Sequence, residues 1–157
     1  MLVIYKALIA EAAEALRLRT IVVYESSLKR FAEIPEKSEL GIRNKLSVRG
    51  EKATGIEAGR ELKILRVHVD LGVRVVTPAQ PGGEPTPLFQ IEADFLVDYE
   101  LTAEVPDTAL QEFARYNAVH NAWPFWRQVV FNTANQANLP CPEIPLRTKC
   151  MNLAKLH

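Results

Sequence analysis

The pattern of apolar and polar positions changes period several times along the chain. Ile4, Leu8, Ala12, Ala15 and Leu16 recur at three- and four-residue steps, which predicts a short amphipathic helix over residues 2–19. From Thr20 the β-branched and aromatic run Ile21-Val22-Val23-Tyr24 predicts a first strand reaching Phe31. Leu40, Ile42, Leu46 and Val48 then alternate with Arg43, Lys45, Ser47 and Arg49, predicting a second strand, apolar on one face and cationic on the other, that stops near Gly50. Residues 55–59 read as a turn. Residues 61–77 alternate most clearly, with Leu65, Val67, Val69, Leu71, Val73 and Val75 on one side and Arg66, His68, Asp70 and Arg74 on the other. Prolines and the Gly82-Gly83 pair make residues 77–87 a loop. The fourth strand, over residues 89–103, sets Ile91, Ala93, Phe95, Val97, Tyr99 and Leu101 against an acidic face of Glu92, Asp94, Asp98 and Glu100.

After Pro106 the period returns to that of a helix, carried by Leu110, Phe113 and Ala114. Pro124 lacks a backbone donor and disfavours a helical residue before it, so it is expected to end this helix and open a second one running to about Asn135. The proline-rich stretch from Leu139 closes the pattern. Strands in succession followed by helices predict an α+β fold: a four-stranded antiparallel sheet with two C-terminal helices packed on one face, plus an N-terminal helix. The expected organisation is a single domain over residues 1–157, with the sheet in 19–104, the helices in 107–138 and a tail in 139–157.

At 157 residues the chain can bury a core without a disulfide or metal. Its 19 basic and 19 acidic residues cancel, so no global field draws it to nucleic acid. Lys6, Glu11 and Glu14 interrupt the N-terminal apolar segment, and no window reaches the roughly 20 apolar residues of a membrane span. A soluble, cytoplasmic protein without membrane insertion is expected. Cys141 and Cys150 have neither redox nor zinc-site spacing, and His68, His120 and His157 lack metal-ligand partners in sequence, so no metal or cofactor is expected. Phosphate-binding and nucleophile motifs are absent from the sequence, and no catalytic residue is assigned. A carboxylate on the acidic strand could serve acid/base chemistry if a closed pocket surrounded it. The simpler reading of Glu92, Asp94, Asp98 and Glu100 is cross-strand ion pairing; the sharper one is a docking surface for a charged partner.

Residues 117–145 carry a resemblance. Pro124, Phe125, Trp126 and Arg127, followed by Leu139, Pro140, Ile144 and Pro145, resemble in order the end of the SecB-like chaperones, and Ala93 to Tyr99 is similar to that family's last strand. The resemblance implies an ATP-independent holdase that binds unfolded polypeptide clients in apolar grooves. It also implies a homo-oligomer, a dimer of dimers, with SecA or an antitoxin as possible further partners. Phe113, Tyr116, Trp123, Phe125 and Trp126 become candidate groove walls, and the four acids the candidate partner-docking surface. Residues 108–121 are expected at the oligomer interface. Export-dedicated members are strongly acidic, whereas this chain is neutral and ends differently over residues 147–157. Its N-terminal helix is more similar to members that accompany toxin–antitoxin pairs. A dedicated interaction module of the same fold, and less readily a small enzyme, are the alternatives.

Overall fold

The structure, a computed structural model, describes residues 2–36 and 39–146, with side chains from residue 6 onward. Tail residues 147–157, including Cys150 and His157, lie outside the described residues. The elements are α1 (Leu2–Ala15), β1 (Leu16–Arg30), β2 (Gly41–Glu57), β3 (Arg60–Thr77), β4 (Thr86–Leu101), α2 (Asp107–Phe113), a single π-helical segment (Ala114–Ala118) and α3 (Val119–Gln136). All neighbouring strands pair antiparallel in the order β1-β4-β3-β2. The longest-range pairing, β1 with β4, closes the sheet over the loop-linked hairpins β2-β3 and β3-β4.

The core is one face of this sheet. Leu65, Val67, Val69, Leu71, Val73 and Val75 of β3 and Phe89, Ile91, Ala93, Phe95, Val97 and Tyr99 of β4 are all buried, as the two-residue alternation predicts. Ala109, Leu110, Phe113, Ala114, Ala118, Ala122, Trp126, Val130 and Ala134 cover them from the helical layer. Five alanines on that layer fill the space between its bulkier members, with Phe113, Trp123 and Trp126 of the helices interleaving with Phe89, Phe95 and Tyr99 of the strands. Ala12 and Ala15 of α1 join the same cluster, and α1 packs against α2.

Three boundaries differ from the sequence reading. The first helix ends at Ala15, and the chain turns into β1 without a loop. Pairing of Leu16 to Leu101, Arg17 to Glu100 and Leu18 to Tyr99 claims these residues for the sheet against their helical propensity. The second strand runs through Gly50 to Glu57, because Gly50 pairs with Val67 and has room beneath it rather than making a turn. The reversal falls at Ala58 (φ 50°) and Gly59 (φ 76°), a two-residue connection in left-handed conformation.

The expected break at Pro124 is also overturned, since α3 runs uninterrupted from Val119 to Gln136 with the proline inside it. Pro124 and His120, whose carbonyl loses its i+4 donor, both lie on the exposed side, where water can take the orphan acceptor. The two helices instead meet at the π-helical segment, where one extra residue per turn changes which side chains face the sheet.

Candidate functional site

Three surfaces hold the residues with chemistry to offer. On the outer sheet face the four predicted docking acids are each engaged in the plane of the sheet. Arg66 grips Asp98 with two hydrogen bonds, Nε–H at 2.9 Å and Nη2–H at 2.8 Å. Glu100 accepts from Arg19 at 3.3 Å and from Arg60 at 3.2 Å, Lys45 lies 3.4 Å from Glu92, and His68 Nδ1 lies 3.2 Å from Asp94. Arg66 and Asp98 stand directly opposite each other in register, while the other partners reach diagonally or, for Lys45 and Glu92, across Gly72 of the strand between them, an arrangement that matches the cross-strand reading. Asp70 stands directly opposite Asp94, a like-charge pair. Burial first, and then the Asp94 charge, push the Asp70 carboxyl above its ordinary pKa. Glu25, Lys45, Asp70, Glu92 and Asp94 line an open depression of about 170 Å³, not a closed pocket. Among the described residues, no group of three or more His, Cys, Asp or Glu is placed to hold a metal ion.

The helical layer separates the five candidate groove aromatics. Phe113, Trp123 and Trp126 are buried, Trp126 at 1% exposure, and Phe113 meets Tyr99 edge-on with ring centroids 4.9 Å apart. Tyr116 and Phe125 are exposed, and so is Phe131, which the sequence reading did not single out. Burial pushes the Tyr99 hydroxyl up to about 12, although its hydrogen bond from Asn121 at 2.8 Å partly opposes the shift.

The third surface was not foreseen. Core-facing residues of β1 are Leu16, Leu18, Ile21, Val23, Ser26 and Leu28, since each pairs with a core-facing residue of β4. Two bulges, which insert Arg19 and Tyr24, reset the alternation and hide this stripe from a strict two-residue period. Leu18 (49%), Val23 (47%) and Leu28 (36%) remain exposed beside the buried Tyr99, Phe95 and Ile91 with which they pair. Among the described residues, the helices therefore leave the β1 flank of the apolar face exposed.

On the opposite flank, a groove of about 560 Å³ runs between β2 and α2, lined by Val48, Gly50, Leu65, Leu110, Ala114 and Arg115. A second hollow of about 400 Å³ adjoins it past Lys52, whose ammonium reaches Asp107 at 2.6 Å across the gap. The signal in the sequence was the small pair Gly50 and Ala114, which only the tertiary structure brings together.

No family model and no curated protein matches the chain. Among solved structures, a Mycobacterium tuberculosis SecB-like chaperone, Rv1957, in complex with a ChAD peptide from the Rv1956 HigA1 antitoxin, is similar in fold. The TM-score is 0.69 over 91% of this chain and 98% of that one, at 13% sequence identity. The fold is thus SecB-like, as the order of motifs implied. No helix among the described residues is long and apolar enough to cross a membrane.

Proposed function

We propose that this protein is an ATP-independent holdase that keeps extended or non-native polypeptide from aggregating. The observation that carries the reading is an apolar sheet face wider than its helical cover, bare along Leu18, Val23 and Leu28. An extended chain laid along that flank gains apolar contact and can hydrogen-bond to the open side of β1, an affinity that depends little on sequence. The groove between β2 and α2, apolar along Val48, Leu65, Leu110 and Ala114 and edged by Glu51, Lys52, Asp107 and Arg115, supplies a second seat. The SecB-like fold supports the class of activity, and the antitoxin peptide bound by the structural neighbour supports a peptide segment as the ligand. We place the protein in the cytoplasm as a homo-oligomer, either a dimer or a dimer of dimers, with an antitoxin as a favoured client. The pairing of Glu92 with Lys45, Asp98 with Arg66, and Glu100 with Arg19 and Arg60 makes SecA docking there the weaker part of the family inheritance, since a partner would have to displace those cations.

The test is dilution of a chemically unfolded protein into buffer without nucleotide, with and without the chain. Suppression of light scattering at near-stoichiometric ratio is expected, and Val23→Asp with Leu28→Asp should abolish it while the far-UV spectrum stays native. No suppression by the wild-type chain would overturn the reading. A second reading, a module dedicated to one peptide, is favoured by the neighbour's single-peptide complex and predicts saturable binding of that peptide with no effect on unrelated unfolded proteins.

A further inference from the structure

One helical turn apart on α3, the indole N–H of Trp123 and the Nε–H of Arg127 donate to consecutive main-chain carbonyls of the segment that follows the helix. Pro145 O accepts from Trp123 at 2.7 Å, and Ile144 O from Arg127 at 3.3 Å. This strap, residues 139–146, has no regular secondary structure and folds back along the helix it leaves. Leu139 and Pro142 are buried beneath it and Ile144 is half-buried against the core, while Pro140, Cys141, Glu143 and Leu146 face solvent.

The way the strap is held is unlike the rest of the fold. Its first residue is fixed by Leu139 N–H to Ala134 O at 2.9 Å. Beyond that point none of its backbone N–H groups donates to another described residue, and Pro140, Pro142 and Pro145 have none to donate. Two apolar side chains two residues apart, Pro142 and Ile144, and two accepted hydrogen bonds secure it. Both donors read main-chain carbonyls, which any residue supplies, so the attachment is the chemistry of a peptide site filled by the chain's own sequence. Segments with few backbone hydrogen bonds and little buried surface also open at low cost.

We propose that α3 carries a binding site for an extended, proline-containing apolar peptide, that the strap occupies it in cis, and that a client segment takes the same site when the strap lifts. The last clause rests on the holdase reading; the site does not. The strap then acts as a built-in competitor, lowering the apparent affinity for any other peptide by the fraction of time the site is free.

The experiment uses the full chain carrying Pro142→Asp and Ile144→Asp, which unseats the strap and leaves Trp123 and Arg127 intact. A fluorescein-labelled peptide with the sequence of residues 138–146 is titrated and followed by anisotropy. Binding roughly tenfold tighter than to the wild-type chain is expected, the factor for a strap seated about nine-tenths of the time. Adding Arg127→Met should take most of that gain away. Equal affinity for both chains, or indifference to Arg127→Met, overturns the site. If the double variant fails to fold by circular dichroism, Ile144→Ala replaces it with the same readout and a smaller gain. A reduced, carboxymethylated protein then serves as client: the double variant should bind it more tightly than wild type and release it to the peptide. Peptide binding without displacement of that client overturns the client clause alone. A wild-type chain that holds no unfolded protein overturns the holdase reading, while the peptide titration still decides the site.

Discussion

Asp70 and Tyr99 are both titratable groups whose charged forms the fold disfavours. Asp70 faces Asp94 across β3 and β4, and its folded pKa is raised, first by burial and then by that neighbouring charge. A raised carboxyl favours folding below its unfolded pKa, and that benefit is lost as pH rises through the folded value. At neutral pH the ionised Asp70 is therefore a cost. Asp70→Asn should stabilise the protein by a few tenths of a kcal/mol at pH 7, after allowance for screening by water, and the gain should vanish near pH 3. Urea titrations at the two pH values check it. Tyr99 behaves the same way at the other end of the scale. Its hydroxyl is pushed up to about 12, so stability should fall between pH 10 and pH 12 by on the order of 2 kcal/mol more in the wild type than in Tyr99→Phe. At pH 7 that substitution removes only the Asn121 hydrogen bond and should cost about 1 kcal/mol or less. By contrast Trp126→Ala, at 1% exposure over the sheet, should cost about 3 to 5 kcal/mol in the same titrations.

Helix α3 carries its proline at a point where it is cheap. With Pro124 and His120 on the solvent side, only one hydrogen bond is missing and its acceptor is open to water. Pro124→Ala restores that donor and should raise the melting temperature, by up to the equivalent of about 2 kcal/mol less the entropy the proline removes from the unfolded chain. A lower melting temperature would mean that the proline sets the curvature by which Trp126 and Val130 reach the sheet. The same helix shows why the sequence was only partly legible. The strands β3 and β4 are plain in the alternation because both are central, and one face of each is wholly buried. The edge strands are less plain. In β1, Leu18, Val23 and Leu28 share a face only once the bulges at Arg19 and Tyr24 are counted, and bulges leave no residue signature of their own. In β2, Gly50 reads as an ending because glycine marks turns, whereas here it pairs with Val67 inside the strand and faces Ala114, a neighbour distant in sequence. The candidate aromatics divide for a similar reason. Aromatic content marked the helical layer correctly, yet the π-helical segment shifts the phase between Phe113 and Trp123, and only the packed structure shows Tyr116 and Phe125 as the outward pair.

At the scale of the whole molecule, a sheet bare along one apolar flank has two ways to satisfy it: a second copy or a client. The residues concerned, Leu18, Val23 and Leu28, are exposed by 49%, 47% and 36%, and their burial would contribute at roughly 25 cal/mol per Å² of apolar surface removed from water. If a second copy covers the flank, the folded state is stabilised by mass action, and the melting temperature should rise by a few degrees for each tenfold increase in protein concentration. Val23→Lys would then both lower the mass found by light scattering and remove the concentration dependence, because a buried lysine without a partner carries a desolvation cost. The outward helix residues Tyr116, Phe125 and Phe131 give an independent control, since they lie on α3 and its π-helical approach rather than on β1. An assembly built through the helical layer should respond to Phe131→Lys and ignore Val23→Lys. If the mass is unchanged by Val23→Lys while the variant no longer suppresses aggregation, the β1 flank is the client surface and takes no part in any assembly. If Val23→Lys breaks the oligomer, clients must be held elsewhere, and the groove between β2 and α2 is the surface to substitute next, beginning with Leu110 and Val48.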